Sequence, residues 1–252
     1  MKKLLYFSGI FAVMVITISC SKKFDNYAEP AETFAGKVTN GGKEGLQTEI
    51  GGGGTRIKME ELSWSDNPTP YYFYCLQDGS FNNSKIFKGK YRVSVEGPFV
   101  PLVQSDSSGN VTVDNSQTLD IAGVTNLDFS VEPFLNVTWM SEPVYNSAQG
   151  TITVQVKFSR GTSNPDFQSN VSDVFFFVNT NPYVGNNNYD NRYSTQVSYS
   201  GTEGNDDVDQ TVTITSRETL PTGRTYYLRI GARVDYGLKY YNYSDIKSIQ
   251  VP

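Results

Sequence analysis

The chain contains no histidine and only two cysteines, Cys20 and Cys75, in 252 residues. Without imidazole there is no Ser-His-Asp or Cys-His relay, no histidine-ligated zinc and no histidine general base. The enzymatic route left open is carboxylate chemistry of the glycosidase kind. Basic residues are also scarce: 21 Lys and Arg stand against 26 Asp and Glu, a formal charge of −5. Phosphate backbones are held by concentrated Lys and Arg, so this balance excludes nucleic acid as the expected partner. Long apolar runs are missing as well, apart from one that covers Leu4 to Ile18. That run is of secretory length and shorter than a membrane span.

Lys2 and Lys3 precede this run, and Thr17-Ile18-Ser19-Cys20 follows it. A positive n-region, an apolar h-region and small residues before a cysteine read as a lipoprotein signal peptide over residues 1–19. Cys20 is then the expected lipidation site, its thiol carrying diacylglycerol, with residues 20–32 as anchor and tether. An ordinary signal peptide with a chance cysteine is the alternative. Removal of residues 1–19 takes away two lysines and no acid, which makes the remaining chain more acidic still. Acylation of Cys20 leaves Cys75 without a disulfide partner. Cys75 sits in the apolar run "YYFYCLQ", where a free thiol is expected to behave as a small buried hydrophobe. No cofactor and no metal site is expected.

What the sequence does have is 17 Tyr, 15 Phe and 22 Gly, with many Val, Thr, Ser and Asn. This is the composition of an all-β protein. Short strand-like segments with turn punctuation run through residues 33–132: "TFAGKVTN", "LQTEI", "TRIKMEEL", "YYFYCLQ", "KYRVSVEG", "NVTVDN" and "LDFSVEPF". In "KYRVSVE" alternation puts Tyr91, Val93 and Val95 on one face and Arg92, Ser94 and Glu96 on the other. A second series fills residues 133–252: "LNVTWM", "GTITVQVKFS", "SDVFFFVNT", "STQVSYS", "DQTVTITSRE", "TYYLRIGARVD" and "YSDIKSIQV". About seven strands suit an immunoglobulin-like sandwich. The expected fold is therefore all-β, two tandem β-sandwiches, with no helix of useful length after the signal peptide.

Gly36-x-Val38, Gly45-Leu46, Asp78-Gly79-x-Phe81 and Phe87-x-Gly89-x-Tyr91-x-Val93 resemble the carboxypeptidase-regulatory-like, transthyretin-type sandwich. "LPTGRTYYLRIGARVD" resembles the tyrosine corner of fibronectin type III domains, with Leu220 and Tyr226 at its key positions. Together with "TRIKMEE", "NPTPYYF", "FKGKYRV" and "EGPFVP", these segments resemble a family of two-domain outer-membrane lipoproteins of Bacteroidetes with unknown function. The resemblance implies a lipid-anchored accessory protein of the outer membrane. Its implied partners are a TonB-dependent importer, a partner lipoprotein and a polysaccharide. The cell surface is favoured over the periplasmic face, although "SKK" after Cys20 departs from the acidic export tag common in such proteins. A fimbrial or adhesive subunit and a carboxylate glycosidase are the competing readings.

Two Tyr/Asn-rich stretches are the candidate binding segments. "NTNPYVGNNNYDNRY" contributes Tyr183, Asn187, Tyr189 and Tyr193, and "DYGLKYYNY" contributes Tyr236, Tyr240 and Tyr241. Aromatic faces stack on sugar C–H surfaces while amides bind hydroxyls. The same residues also serve as interface or as plain cover for a sandwich edge. No catalytic residue is assigned: Glu60 and Glu61 are adjacent in a strand, so they point to opposite faces and make a poor catalytic pair. The acidic run with Glu203, Asp206, Asp207 and Asp209 lacks EF-hand spacing and reads as a solvated tip. The tetraglycine Gly51–Gly54 has no Gly-Lys-Ser/Thr after it to bind phosphate.

Overall fold

The computed structural model describes residues 28–42 and 44–252. Cys20 and the signal-peptide reading lie outside the described residues. Among the described residues no helix is long and apolar enough to cross a membrane. The all-β expectation holds: among the described residues strands dominate, and helix is limited to a four-residue turn at Glu203–Asp206 and a 3-10 turn at Pro165–Phe167.

The first sandwich stacks two sheets. In one, Glu32–Asn40 pairs antiparallel with Ser80–Ile86 and parallel with both Val124–Asn126 and Phe129–Val131. The other is antiparallel, in the order Tyr71–Tyr74, Arg56–Glu61, Gly89–Glu96, Gln117–Ile121. Alternation explains which face each strand buries. Ile57, Met59, Tyr91, Val93 and Val95 point inward with Phe34, Val38, Phe81 and Ile121, forming one apolar cluster. Arg56, Lys58 and Glu60 lie on the opposite face, beside Arg92, Ser94 and Glu96 of the neighbouring strand. Cys75 is buried in this core, and loss of hydration pushes its thiol up to about 12, so it is inert at neutral pH. The Asp78-Gly79 turn needs glycine: φ is +79°, and a Cβ there would stand 2.6 Å from the Val38 carbonyl oxygen.

The second sandwich packs the sheet of Leu135–Trp139, Thr151–Arg160, Val144–Asn146 and Thr211–Thr215 against a second sheet. That second sheet contains Thr195–Ser198, Val171–Asn179, Arg224–Val234, Asn242–Tyr243 and Lys247–Val251. Phe158, Val174, Phe176, Leu228, Ile230 and Ala232 meet in the core. Tyr226 is buried, and its hydroxyl donates to the Pro221 carbonyl oxygen at 2.9 Å, closing the tyrosine corner. Tyr226→Phe keeps the ring but orphans that carbonyl, so unfolding free energy should fall by about 1 kcal/mol in a urea titration. An unchanged midpoint would show that the hydroxyl contributes nothing to the corner.

One segment departs from expectation. "LQTEI" is not a strand: residues 46–49 run irregularly across the outer face of the second domain's sheet. Their polar groups are shared between the domains: the Leu46 and Thr48 amides donate to Val38 and Gln77, while the Thr48 carbonyl and the Gln47 and Glu49 side chains accept from the second domain. Arg229 is fully buried and donates to the carbonyl oxygens of Thr48 (2.9 Å) and Ser244 (3.2 Å) and to Gln47 (3.1 Å). Its guanidinium lies 4.2 Å above the Tyr243 ring, and the Tyr243 hydroxyl donates to buried Glu49 at 2.7 Å. Desolvation pushes Arg229 down to about 10, against the opposing influence of Tyr243, Glu49 and Asp245. Asn242 bridges the halves a second time, donating to the Pro98 carbonyl (2.8 Å) while accepting from the Leu135 amide (3.1 Å). The two sandwiches are thus joined by a buried polar clamp.

Candidate functional site

The clamp fixes a cleft between the two sandwiches. Its floor is the outer face of the first domain's antiparallel sheet, where Arg56, Lys58, Ser94 and Glu96 stand on two paired strands. Pro101, Leu102 and Val103 form one wall, and Tyr236, Gly237 and Leu238 form the other. Phe99 and Phe134 close the back, and the space measures about 290 Å³. That is near the lower end of the ~300–1,000 Å³ typical of small-ligand sites.

Each wall has a local cause. Val103–Ser105 pairs with Val111–Asp114 in a two-stranded hairpin that rises from the first domain after Pro101. The facing wall is the loop between Arg224–Val234 and Asn242–Tyr243. It is shaped by left-handed backbone at Gly237 and Lys239, both at φ +53°, and braced by an Asp235–Lys239 ion pair at 2.6 Å. Tyr236 is anchored edge-on against Phe134 and Phe167, with ring centroids 5.2 and 5.6 Å away. Leu238 and Val103 remain 52% and 38% exposed, so both walls present apolar surface to whatever enters.

The floor is polar and ordered. Arg56 donates to Glu96 through Nε and Nη2 at 2.8 and 2.6 Å. Its guanidinium also covers the ring of Tyr72 at 4.1 Å. Arg92 donates to Glu60 at 2.8 Å, and Lys58 approaches the same carboxylate at 3.4 Å. The bond from Arg92 holds the Glu60 carboxyl below the usual carboxylate range despite partial burial, with Lys58 adding to the effect. Tyr72 and Tyr74 stand beside this floor on the edge strand, both exposed, and Tyr240 is close enough to Arg56 to contribute to its electrostatic field.

The seven residues singled out in the sequence fall in different places. Tyr236 lines the cleft and Tyr240 lies near it. Asn187 serves the clamp: its side chain donates to the carbonyls of Ile50 (2.8 Å) and Gly52 (2.6 Å), which gives the glycine-rich turn its partner. Tyr193 is buried in the second core against Tyr226, 6.1 Å between centroids. Tyr241 is buried on the sheet's outer face, where its hydroxyl donates to Asp173 and Arg233 covers its ring at 4.5 Å. Tyr189 packs on Phe175 and Phe177 in the same aromatic cluster, and Tyr183 is 58% exposed at the loop tip. Burial removes Tyr193 and Tyr241 from direct contact with a ligand.

Arg56, Lys58, Tyr72, Tyr74, Ser94 and Glu96 were not singled out from sequence. The available signal was alternation: in "TRIKMEE" and "YYFY" the residues between the core positions are charged or aromatic. Glu60 and Glu61 do occupy opposite faces, Glu60 with Arg92 and Glu61 bonded to the Trp64 indole. The acids near Asp206 are dispersed among neighbours, with Asp207 accepting from Tyr199 at 2.6 Å and Asp209 near Lys157 at 3.6 Å. Among the described residues no group of three or more Cys, Asp or Glu side chains converges as a metal site.

Two β-sandwiches joined by a buried clamp, with a cleft of apolar walls over a charged floor, define a tandem-sandwich protein with a candidate ligand site between its domains. A family profile described as "Protein of unknown function (DUF3823) N-terminal domain" matches residues 32–125, and "Domain of unknown function (DUF3823_C)" matches residues 139–248. The chain belongs to the DUF3823 family. A DUF3823 family protein from Bacteroides uniformis ATCC 8492 is 35% identical with a TM-score of 0.83, covering 88% of this chain and 100% of its own. Another crystal structure from Bacteroides uniformis ATCC 8492, described as "a putative carbohydrate binding protein", is 20% identical with a TM-score of 0.65 over the same shares. A DUF3823 family protein from Parabacteroides merdae ATCC 43184 is 18% identical with a TM-score of 0.64, again covering 88% of this chain and 100% of its own. The last two share the fold. No curated protein matches the chain.

Proposed function

We propose that this protein is a non-catalytic, lipid-anchored glycan-binding subunit of an outer-membrane, TonB-dependent uptake system, facing the cell surface. The observation that carries the reading is the cleft. Tyr236 in the wall, with exposed Tyr72 and Tyr74 on the edge strand beside the floor, offers aromatic surface next to a fixed array of carboxylate, guanidinium and hydroxyl groups. Sugar rings are recognised by that combination: C–H faces on aromatic rings, hydroxyls on paired polar groups. Support for the ligand class comes from the fold shared with the Bacteroides protein described as carbohydrate binding. The importer and lipid anchor rest on the resemblance and on the context of Cys20.

No residue of the cleft is assigned a catalytic role. Glu60 and Glu96 are each bonded to a guanidinium, and the bond from Arg92 favours the ionised form of Glu60, which leaves Glu60 without a proton to donate at neutral pH. Two experiments test the proposal. Cys20→Ala should move the protein from the membrane to the soluble fraction, and retention in the membrane would overturn the anchor. Affinity electrophoresis of the soluble protein in polysaccharide-containing gels should show retardation by at least one polymer. Free migration in every gel would overturn glycan binding.

A further inference from the structure

The charges on the cleft floor narrow the class of glycan, an inference that rests on the reading above. Each cation there already has an anion. Arg56 spends two N–H groups on Glu96, and Lys58 and Arg92 share Glu60. On the wall, Lys239 is paired with Asp235. A uronate or sulfate entering the cleft would meet no free cation. It would have to displace a protein carboxylate that is already bonded, and it would then sit beside that expelled charge. An uncharged sugar meets no such competition. Ion pairs fixed in place present outward-facing oxygens and N–H groups to hydroxyls, and with Asp114 acting on Arg92 and Lys58 the three cations of the floor are matched by three carboxylates.

We infer that the cleft selects uncharged glycans and rejects uronic-acid and sulfated polymers, with the Arg56–Glu96 pair as the element that sets this choice. Glu96 acts here as a specificity residue: it neutralises Arg56 and holds the guanidinium over Tyr72. Removing its charge while keeping its shape should expose a cation at the centre of the floor. The rejection therefore depends on a built-in competitor for Arg56.

The test uses gels containing starch, xyloglucan, galactomannan, laminarin or arabinoxylan against polygalacturonate, alginate or chondroitin sulfate, at fixed ionic strength. The wild type should be retarded by at least one neutral polymer and about tenfold less by every acidic one. Glu96→Gln should raise the ratio of polygalacturonate to neutral-polymer retardation about tenfold over wild type at low salt, the gain fading as salt screens it. Thermal melting of the variant within a few degrees of wild type verifies that the fold is intact, and Glu96→Asp, which keeps the charge, should not gain. Equal or stronger wild-type retention on an acidic polymer would overturn the selectivity while leaving glycan binding in place. A Glu96→Gln protein that folds but gains nothing would overturn the role of the pair. No retention on any polymer, neutral or acidic, would overturn glycan binding itself and this inference with it.

Discussion

Arg229→Ala should lower the unfolding free energy by about 3–5 kcal/mol, the loss typical when one member of a buried charged network is removed. Arg229 is fully buried and bonds three groups on two segments far apart in sequence. Its removal leaves the Thr48 and Ser244 carbonyls without that donor and takes the balancing positive charge away from Glu49, which stays buried beneath Tyr243. A cavity the size of a guanidinium adds to the cost. Arg229→Lys should not restore stability, because an ammonium cannot span the same three acceptors or stack flat on the Tyr243 ring. Urea unfolding followed by tyrosine and tryptophan fluorescence reads the change directly. A midpoint within experimental error of wild type would mean that Arg229 does not hold the two sandwiches together.

The sandwich architecture was legible because its signals are local. "KYRVSVE" alternates, Asp78-Gly79 marks a tight turn, and the Leu220–Tyr226 spacing marks a corner; each survives into the structure. Two features were not legible, for a shared reason. Leu46–Glu49 has a strand's composition, yet beyond a single bond from the Leu46 amide to Val38 its backbone partners are Arg229 and Gln77 rather than a ladder. The cleft likewise depends on Arg56 and Tyr236 meeting across 180 positions of chain, which no local pattern encodes. The tyrosine-rich stretches illustrate the difference well. Tyr236 and Tyr193 have similar polar neighbours in sequence, but one lines the cleft and the other is core, because only the register of their flanking strands decides it.

Combined replacement of Tyr72 and Tyr240 by alanine should abolish most glycan retention. Each ring that stacks on a sugar beside the floor is expected to contribute about 1–2 kcal/mol, so the pair corresponds to a loss of about a hundredfold. The fold should tolerate the change. Tyr72 is on an edge strand and partly exposed, and its main intramolecular contact, with Arg56, contributes only about 0.5–1 kcal/mol at such a site. Tyr183→Ala serves as the comparison: Tyr183 is more exposed than either, but it belongs to a loop tip outside the cleft lining and should leave retention unchanged. Loss of binding in Tyr183→Ala with full binding in the cleft variant would move the site to that loop.

The most direct measurement is a crystal structure of the soluble protein soaked with an oligosaccharide cut from the polymer that retards it. The sugar should occupy the space between Val103 and Leu238, with a ring face against Tyr72 or Tyr236 and hydroxyls bonded to the Arg56–Glu96 pair. Density for the sugar at the Tyr183 loop or beside Phe87 instead, with the cleft open to solvent, would contradict the assignment of the cleft as the glycan site.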